Sequence, residues 1–248
     1  MDLELINFLF FPLLFFVAFM YAAVGHGGAS GYLALMAFFS FAPEVMRPTA
    51  LILNIFVSLT SFIQYYRGGH FRLNLFWPFA VASVPSAFLG GLISIDAKWY
   101  KIILGILLLF SVIRLMGLRF SERDEQKRQS LIGSLGIGAI IGLFSGMIGI
   151  GGGIILSPVI LLLHWGNLKQ TAAVSALFIL VNSISGMAGL ITKGIVVSPN
   201  MIWMILIAFA GGLCGSYLGA IKAGNYFLKT LLAIVLFFRQ PLADYGFR

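Results

Sequence analysis

The sequence predicts an all-α polytopic membrane protein of about eight transmembrane helices plus two re-entrant half-helices, built from two internal repeats. Three observations carry that expectation. Of 248 residues, 60% are hydrophobic and only 10% charged, with a mean hydropathy of +1.02. A soluble domain carries roughly 25% charged residues, so this chain lacks the polar surface to cover itself in water. Continuous apolar runs recur from end to end, and a chain in lipid must satisfy its backbone internally, which leaves helices or closed barrels. The runs do not alternate, so helices are expected. The third observation is a pair of glycine clusters set far apart in the chain.

Taken in order, the apolar runs predict spans near 5–24, 47–66, 73–95 and 99–118, then 131–149, 170–191, 200–221 and 226–239. Met1-Asp2-Leu3-Glu4 offers no basic n-region, so the first run is expected to be a retained span rather than a cleaved signal. Two further apolar pieces, 29–42 and 153–165, are too short to cross as a full helix and suit half-helices; each follows a glycine cluster. The polar stretch from Arg119 to Ser130 is the one linker, dividing a first repeat, 1–118, from a second, 131–248.

The halves resemble each other. Gly149 follows Gly25 by 124 positions, and at the same offset Ser61 falls on Ser185 and Ser58 on Asn182. Phe88-Leu89-Gly90 matches Tyr217-Leu218-Gly219 after a further shift of five. Such symmetry is typical of transporters built by duplication. Arg114, Arg119, Arg123, Lys127 and Arg128 form the densest basic cluster and place the linker in the cytoplasm, with Arg67 and Arg72 on the same side. In the second half Lys193 and Arg239 argue against Lys169, Lys222 and Lys229. The charges therefore leave open whether the repeats are parallel or inverted, which turns on whether the half-helices cross.

The net charge of +8 is distributed over short connections, as topology signals are, and not gathered into the basic face that nucleic-acid binding needs. Cys214 is the single cysteine, which excludes an intrachain disulfide. Three scattered histidines and one cysteine make no metal-ligand spacing, and no cofactor is expected. All eight acidic residues fall at termini, in the linker or in short connections. Without a mid-span carboxylate the usual cation or proton-relay site is missing, which suits an anionic substrate.

The first candidate site is the pair of breaks, Gly25-His26-Gly27-Gly28 and Gly149-Ile150-Gly151-Gly152-Gly153. Glycine lets the chain leave helical geometry, and a helix that restarts after it presents unpaired N–H groups and a positive dipole end. Two such ends facing one another suit a small anion. Close helix packing is the alternative, and it has clear instances in the ladders Gly138-Gly142-Gly146 and Gly211-Gly215-Gly219. Neither cluster fits G-x-G-x-x-G after a strand, so a dinucleotide site is excluded.

The second candidate is the set of polar residues on the following spans: Asn54, Ser58, Thr60, Ser61 and Gln64, then Ser175, Asn182, Ser183 and Ser185. At three-to-four-residue spacing Asn54, Ser58 and Ser61 share a helix face, as do Ser175, Asn182 and Ser185. They suit either a cavity lining or hydrogen bonds between helices. His26 suits a group that changes charge near neutral pH or a structural hydrogen bond. Arg47, just before a span, suits anion attraction or a topology marker. Ser157-Pro158 and Pro85 read as kinks.

This order of motifs resembles the TauE/SafE family, the sulfite-exporter-type permeases. The second copy carries it best: Gly146-Met147-Ile148-Gly149-Ile150-Gly151-Gly152-Gly153, then Ser157-Pro158, then Ala172-Ala173-Val174-Ser175-Ala176-Leu177-Phe178 and Asn182-Ser183-Ile184-Ser185-Gly186. The first copy departs, with Gly-His-Gly-Gly for the longer glycine run and Pro48-Thr49-Ala50-Leu51-Ile52-Leu53-Asn54 on its following span. The resemblance covers roughly residues 8–238. It implies transport of sulfur oxyanions or organosulfur anions, such as sulfite or a sulfonate, across a bacterial cytoplasmic membrane. The expected partners are a small anionic substrate and the lipid bilayer, with a homo-oligomer left open. A scaffold or assembly subunit would explain the ladders but not the paired breaks. An intramembrane enzyme would need a nucleophile–base pair or metal set that the sequence does not present.

Overall fold

The computed structural model describes residues 3–96, 98–100, 102, 103, 105, 106, 127–195 and 198–222. The expected span at 226–239, nearly all of the linker and most of the span at 99–118 lie outside these residues. Within them the chain is helical and contains no strand. The helices are α1 (Leu3–Ala23), α2 (Ala29–Phe38), α3 (Pro43–Arg67), α4 (Leu73–Leu92), α5 (Leu131–Ile148), α6 (Gly153–Leu162), α7 (Leu168–Ile191) and α8 (Met201–Tyr217), the last running into a π-helical turn, Leu218–Lys222. Among the described residues five elements are long and apolar enough to cross a membrane: α3, α4, α5, α7 and α8 with its turn. Large apolar side chains such as Ile132, Ile140, Ile202, Trp203 and Val81 are exposed, as suits a surface solvated by lipid rather than water.

Local chemistry starts and stops these helices. Pro43 opens α3, where its missing N–H costs nothing. Ser130 caps α5 by accepting from Gly133 N, and Asn167 and Gln170 form a reciprocal capping box on α7. The half-helices are each ten residues, about 15 Å and so half a bilayer core. They are shorter than the expected 29–42 and 153–165, because the chain turns left-handed at Ser40 and His164, with φ of 59° and 57°. Arg47 lies inside α3, which begins four residues earlier than the hydropathy suggested. Pro78 and Pro85 are accommodated in α4 without ending it.

Contacts fix the direction of each element. Phe10 of α1 packs its ring on Phe39 and Phe41, beside the start of α3. At the other end of α1, the Ala23 carbonyl accepts from the Tyr65 hydroxyl near the end of α3. These two helices are therefore parallel, running from a first face to a second. Ala29 N, at the start of α2, donates to Asn54 Oδ1 halfway along α3, so α2 returns from mid-depth to the first face. Residues 24–28 join the two, turning back on the end of α1 through Gly25 N to Ala22 O and His26 N to Tyr21 O. The same reasoning reverses the second half. Lys127 N, just before α5, donates to His164 O beyond the end of α6, and Tyr100 Oη donates to Ile148 O at the end of α5. Asn54 pairs with Ser183, and Leu51 lies beside Gly186, so α3 and α7 are antiparallel neighbours at the centre.

The outer seams are made by glycine. A Cβ at Gly138, Gly142 or Gly146 of α5 would strike the backbone of Phe79, Ser83 or Ala87 of α4. A Cβ at Gly211, Gly215 or Gly219 would strike the backbone of Phe15, Phe19 or Ala23 along α1. Both ladders advance four residues for four, which makes each pair parallel and closely packed.

Candidate functional site

Both breaks are built on left-handed glycines. Gly25 and Gly28 have φ of 76° and 94°, and Gly149, Gly151 and Gly152 have 87°, 71° and 78°. Any L side chain is strained there. Gly28 is the N-cap of α2 and Gly152 the N-cap of α6. Gly25 sits against the Ala172 backbone, and Gly149, which ends α5, against Arg47 and Leu51. The neighbours follow the offset of the clusters to within one position, since Ala172 and Arg47 lie 125 apart in the chain.

The breaks converge. A side chain at Gly27 would meet Asn54 Oδ1 and Ile179, and one at Gly151 would meet Asn54 Nδ2, Ile179 and Ser183. A side chain at Gly153 would overlap Ile179 as well. Asn54, fully buried, therefore stands between the two half-helices. Its oxygen takes the first amide of α2, and its amide reaches Ser183 Oγ at 3.4 Å. Gly152 gives α6 no side-chain cap, so the first amides of that helix are not closed by its own N-cap residue.

The other expected residues divide. Ser58 Oγ donates to Asn54 O, and Asn182 Nδ2 donates to Phe178 O at 2.8 Å, each bonding back one turn along its own helix. Asn182 Oδ1 stays buried without a partner. Ser61 also bonds within its helix, and Ser185 Oγ crosses to Val84 O, so these two serve packing. Ser175 is joined instead to a residue that sequence reasoning passed over. Its hydroxyl lies 2.8 Å from Ser157 Oγ, which lies 3.2 Å from His26 Nε2; His26 Nδ1 is 3.1 Å from Val24 O. A carbonyl only accepts, so Nδ1 carries the proton and Nε2 accepts from Ser157. The chain then reads Ser175 O–H to Ser157 O–H to His26, all three residues being buried. Ser157 was legible only as part of a Ser-Pro kink, because its partner is 131 residues away.

Arg47 is buried among helix ends. It is 9% exposed and donates to four carbonyls: Ile93, Gly90 and Gly91 at the end of α4, and Gly146 near the end of α5. Its charge meets the negative ends of two helices.

The profile of the family described as Sulfite exporter TauE/SafE matches residues 10–239. A "Probable membrane transporter protein y4hK" of Sinorhizobium fredii is 36% identical over 226 residues, covering 90% of this chain and 92% of that protein. A "Probable membrane transporter protein YunE" of Bacillus subtilis is 25% identical over 216 residues, covering 78% and 77%. No solved structure matches. The family match spans both glycine breaks and every described helix from Phe10 of α1 onward, and the chain belongs to the TauE/SafE family.

Proposed function

We propose that this chain is a multi-pass permease of the bacterial inner membrane that carries a small anion, a sulfur oxyanion or an organosulfur anion such as sulfite or a sulfonate. The observation that carries the reading is the meeting of both glycine breaks on Asn54 and Ile179, which brings two helix N-termini to one point at mid-depth. A break at that depth is tolerated only inside protein or beside a water-filled path. Two positive helix ends with neutral donors around them suit an anion.

The architecture is read as two repeats of opposite direction, consistent with the contacts that make α1 parallel to α3 and α3 antiparallel to α7. Among the described residues the second face carries Arg67, Arg72, Lys127, Arg128, Lys169 and Lys222, against Arg47, Lys98 and Lys193 with Glu44 and Asp96 on the first. By the positive-inside rule the second face is cytoplasmic. Opposed repeats around a central site allow the same two conformations to open to either face in turn. The names of the relatives, both probable membrane transporters, support the permease class.

The test is flux in proteoliposomes with labelled sulfite, a sulfonate and a control cation. Anion-selective flux is expected. A folded protein that moves no anion in the panel refutes the reading. Gly27→Leu and Gly151→Leu should each abolish flux while leaving membrane insertion intact; full flux in both would reduce the breaks to packing.

A further inference from the structure

On the second face a narrow cleft between α3, α6 and α7 reaches the first break; its volume of about 10 Å³ holds one water and must widen to admit an anion, and it is lined by Val24, His26, Tyr65, Ser157, Leu161 and Thr171 among others. Its walls are mostly apolar, and its polar groups are unevenly satisfied. Tyr65 donates to Ala23 O, and Ser157 and His26 are linked to each other. Thr171 is different. It is 2% exposed, it lines the cleft, and its hydroxyl has no partner. A buried hydroxyl without a partner destabilises a fold, so a ligand that completes it is the economical explanation.

We propose that this cleft is a proton-coupled oxyanion subsite, in which Thr171 and Ser157 donate their hydroxyl hydrogens to the anion and His26 takes up one proton from the cytoplasmic side as it binds. The proposal rests on the permease reading above and assigns that site its approach and its coupling. The proton logic follows from the hydrogen-bond chain. With His26 neutral, Nε2 is an acceptor and holds the Ser157 hydroxyl hydrogen, which leaves Ser157 nothing to offer a ligand. A proton added at Nε2 reverses that bond: Nε2–H donates to Ser157 Oγ, which also accepts from Ser175 through its second lone pair. The Ser157 O–H is then free to turn into the cleft beside Thr171. No covalent bond breaks; one proton moves from water to the imidazole, and Nδ1–H stays on Val24 O.

Charge balance points the same way. An anion buried without a countercharge is costly, and imidazolium supplies one within reach. The titratable groups on the elements packed around the cleft are Tyr21 of α1, Tyr32 of α2, Arg47, Tyr65, Tyr66 and Arg67 of α3 and Lys169 of α7, with His70 just beyond α3 and His164 just beyond α6. Tyr21 accepts from Ser30, and Lys169 is held on Ala220 O, 3.4 Å away. Glu44 lies at the opposite end of α3, so no described carboxylate competes for the proton.

The experiment is calorimetric titration of the purified full chain in detergent with methanesulfonate, whose charge is constant from about pH 5.5 to about pH 8, in buffers of different ionisation enthalpy. Wild type should take up one proton per anion bound and bind more tightly as pH falls. Thr171→Val removes a hydroxyl that holds nothing in the fold, so its melting temperature should be unchanged or higher while affinity falls roughly ten- to a hundredfold. His26→Asn should bind weakly, with no proton uptake and no pH dependence. An unchanged affinity in Thr171→Val, no proton uptake by wild type, or no binding by wild type would each overturn the proposal. Anion flux that persists in those cases leaves the permease reading standing; absence of flux removes both.

Discussion

Replacing Arg47 by glutamine is expected to destabilise the protein by about 3 kcal/mol, and the estimate follows from what the guanidinium holds. Four carbonyls accept from it, but Gly90 O has a second partner in Ile93 N. Three carbonyls, those of Gly91, Ile93 and Gly146, therefore depend on Arg47 most. Bonds from a charged donor are worth about 1.5–3 kcal/mol each, which gives a gross loss of roughly 4.5–9 kcal/mol. A glutamine amide has two N–H donors and restores two neutral bonds at about 0.5–1.5 kcal/mol each. Releasing the charge from a buried position recovers part of the desolvation it cost, which brings the net toward the lower end. The competing term is real, since a buried charge is often replaceable by an apolar group; here the orphaned carbonyls outweigh it. The assay is an SDS titration of purified protein in mixed micelles, following tryptophan fluorescence. Arg47→Lys should fall between wild type and glutamine, because an ammonium keeps the charge and loses the planar fork. An unfolding midpoint in Arg47→Gln equal to wild type would refute the account and return Arg47 to the role of a topology marker.

The glycine ladders make a second, paired prediction. Gly146→Ala drives a methyl into the Ala87 backbone, an overpacking cost of about 1–3 kcal/mol that exceeds the roughly 1 kcal/mol gained in helix propensity, so stability should fall. Gly136→Ala, with nothing near it, should be neutral or stabilising by up to about 1 kcal/mol in the same titration. Asn54→Leu removes the cap on Ala29 N and the link to Ser183; anion flux should drop at least tenfold and α2 amide exchange should rise, whereas unchanged exchange would deny Asn54 its bridging role. For His70, beyond the end of α3, partial burial and then Lys169 hold the imidazole below its ordinary range. The unfolded chain then binds the proton more readily, so the His70 contribution is present above the ordinary histidine range and is lost as pH falls through the lowered value. His70→Asn should flatten that acid limb of the melting-temperature profile; an identical profile would show that His70 contributes nothing to it.

Much of the fold could be read before the structure because lipid simplifies the problem. A run of apolar residues of the right length has few options, and α3, α4, α5, α7 and the α8 turn fall where hydropathy puts them. Glycine spacing was equally legible, since Gly138, Gly142 and Gly146 advance by one turn each and each meets a backbone. Direction was not legible. Lys169 and Lys193 lie at opposite ends of α7 and give contradictory charge counts until contacts show which end each occupies. The site divided along the same line. Asn54 and the glycines, singled out because breaks are local, lie together, whereas Ser58 and Ser61 bond along their own helix. Ser157 and Thr171 carried no local signal, since their meaning depends on His26, far away in the chain.

The 124-position offset gives that difference a mechanical sense. Residues 47 and 171 are equivalent by that offset; Arg47 itself covers Gly149, while Ala172, next to Thr171, covers Gly25. On the first face the position is arginine, and its guanidinium ties the ends of α4 and α5 across the break. On the second face it is threonine, which ties nothing and leaves a cleft open to His26. One repeat therefore seals where the other admits. If the halves exchange conformations, opening the first face must strip Arg47 of its carbonyls, and a guanidinium without acceptors is itself a strong attractor of an oxyanion. Substrate binding would then offset the loss of the seal, so Arg47→Gln should slow anion exchange at the first face more than it weakens equilibrium binding in the cleft. Equal effects on both would mean that Arg47 acts through stability alone.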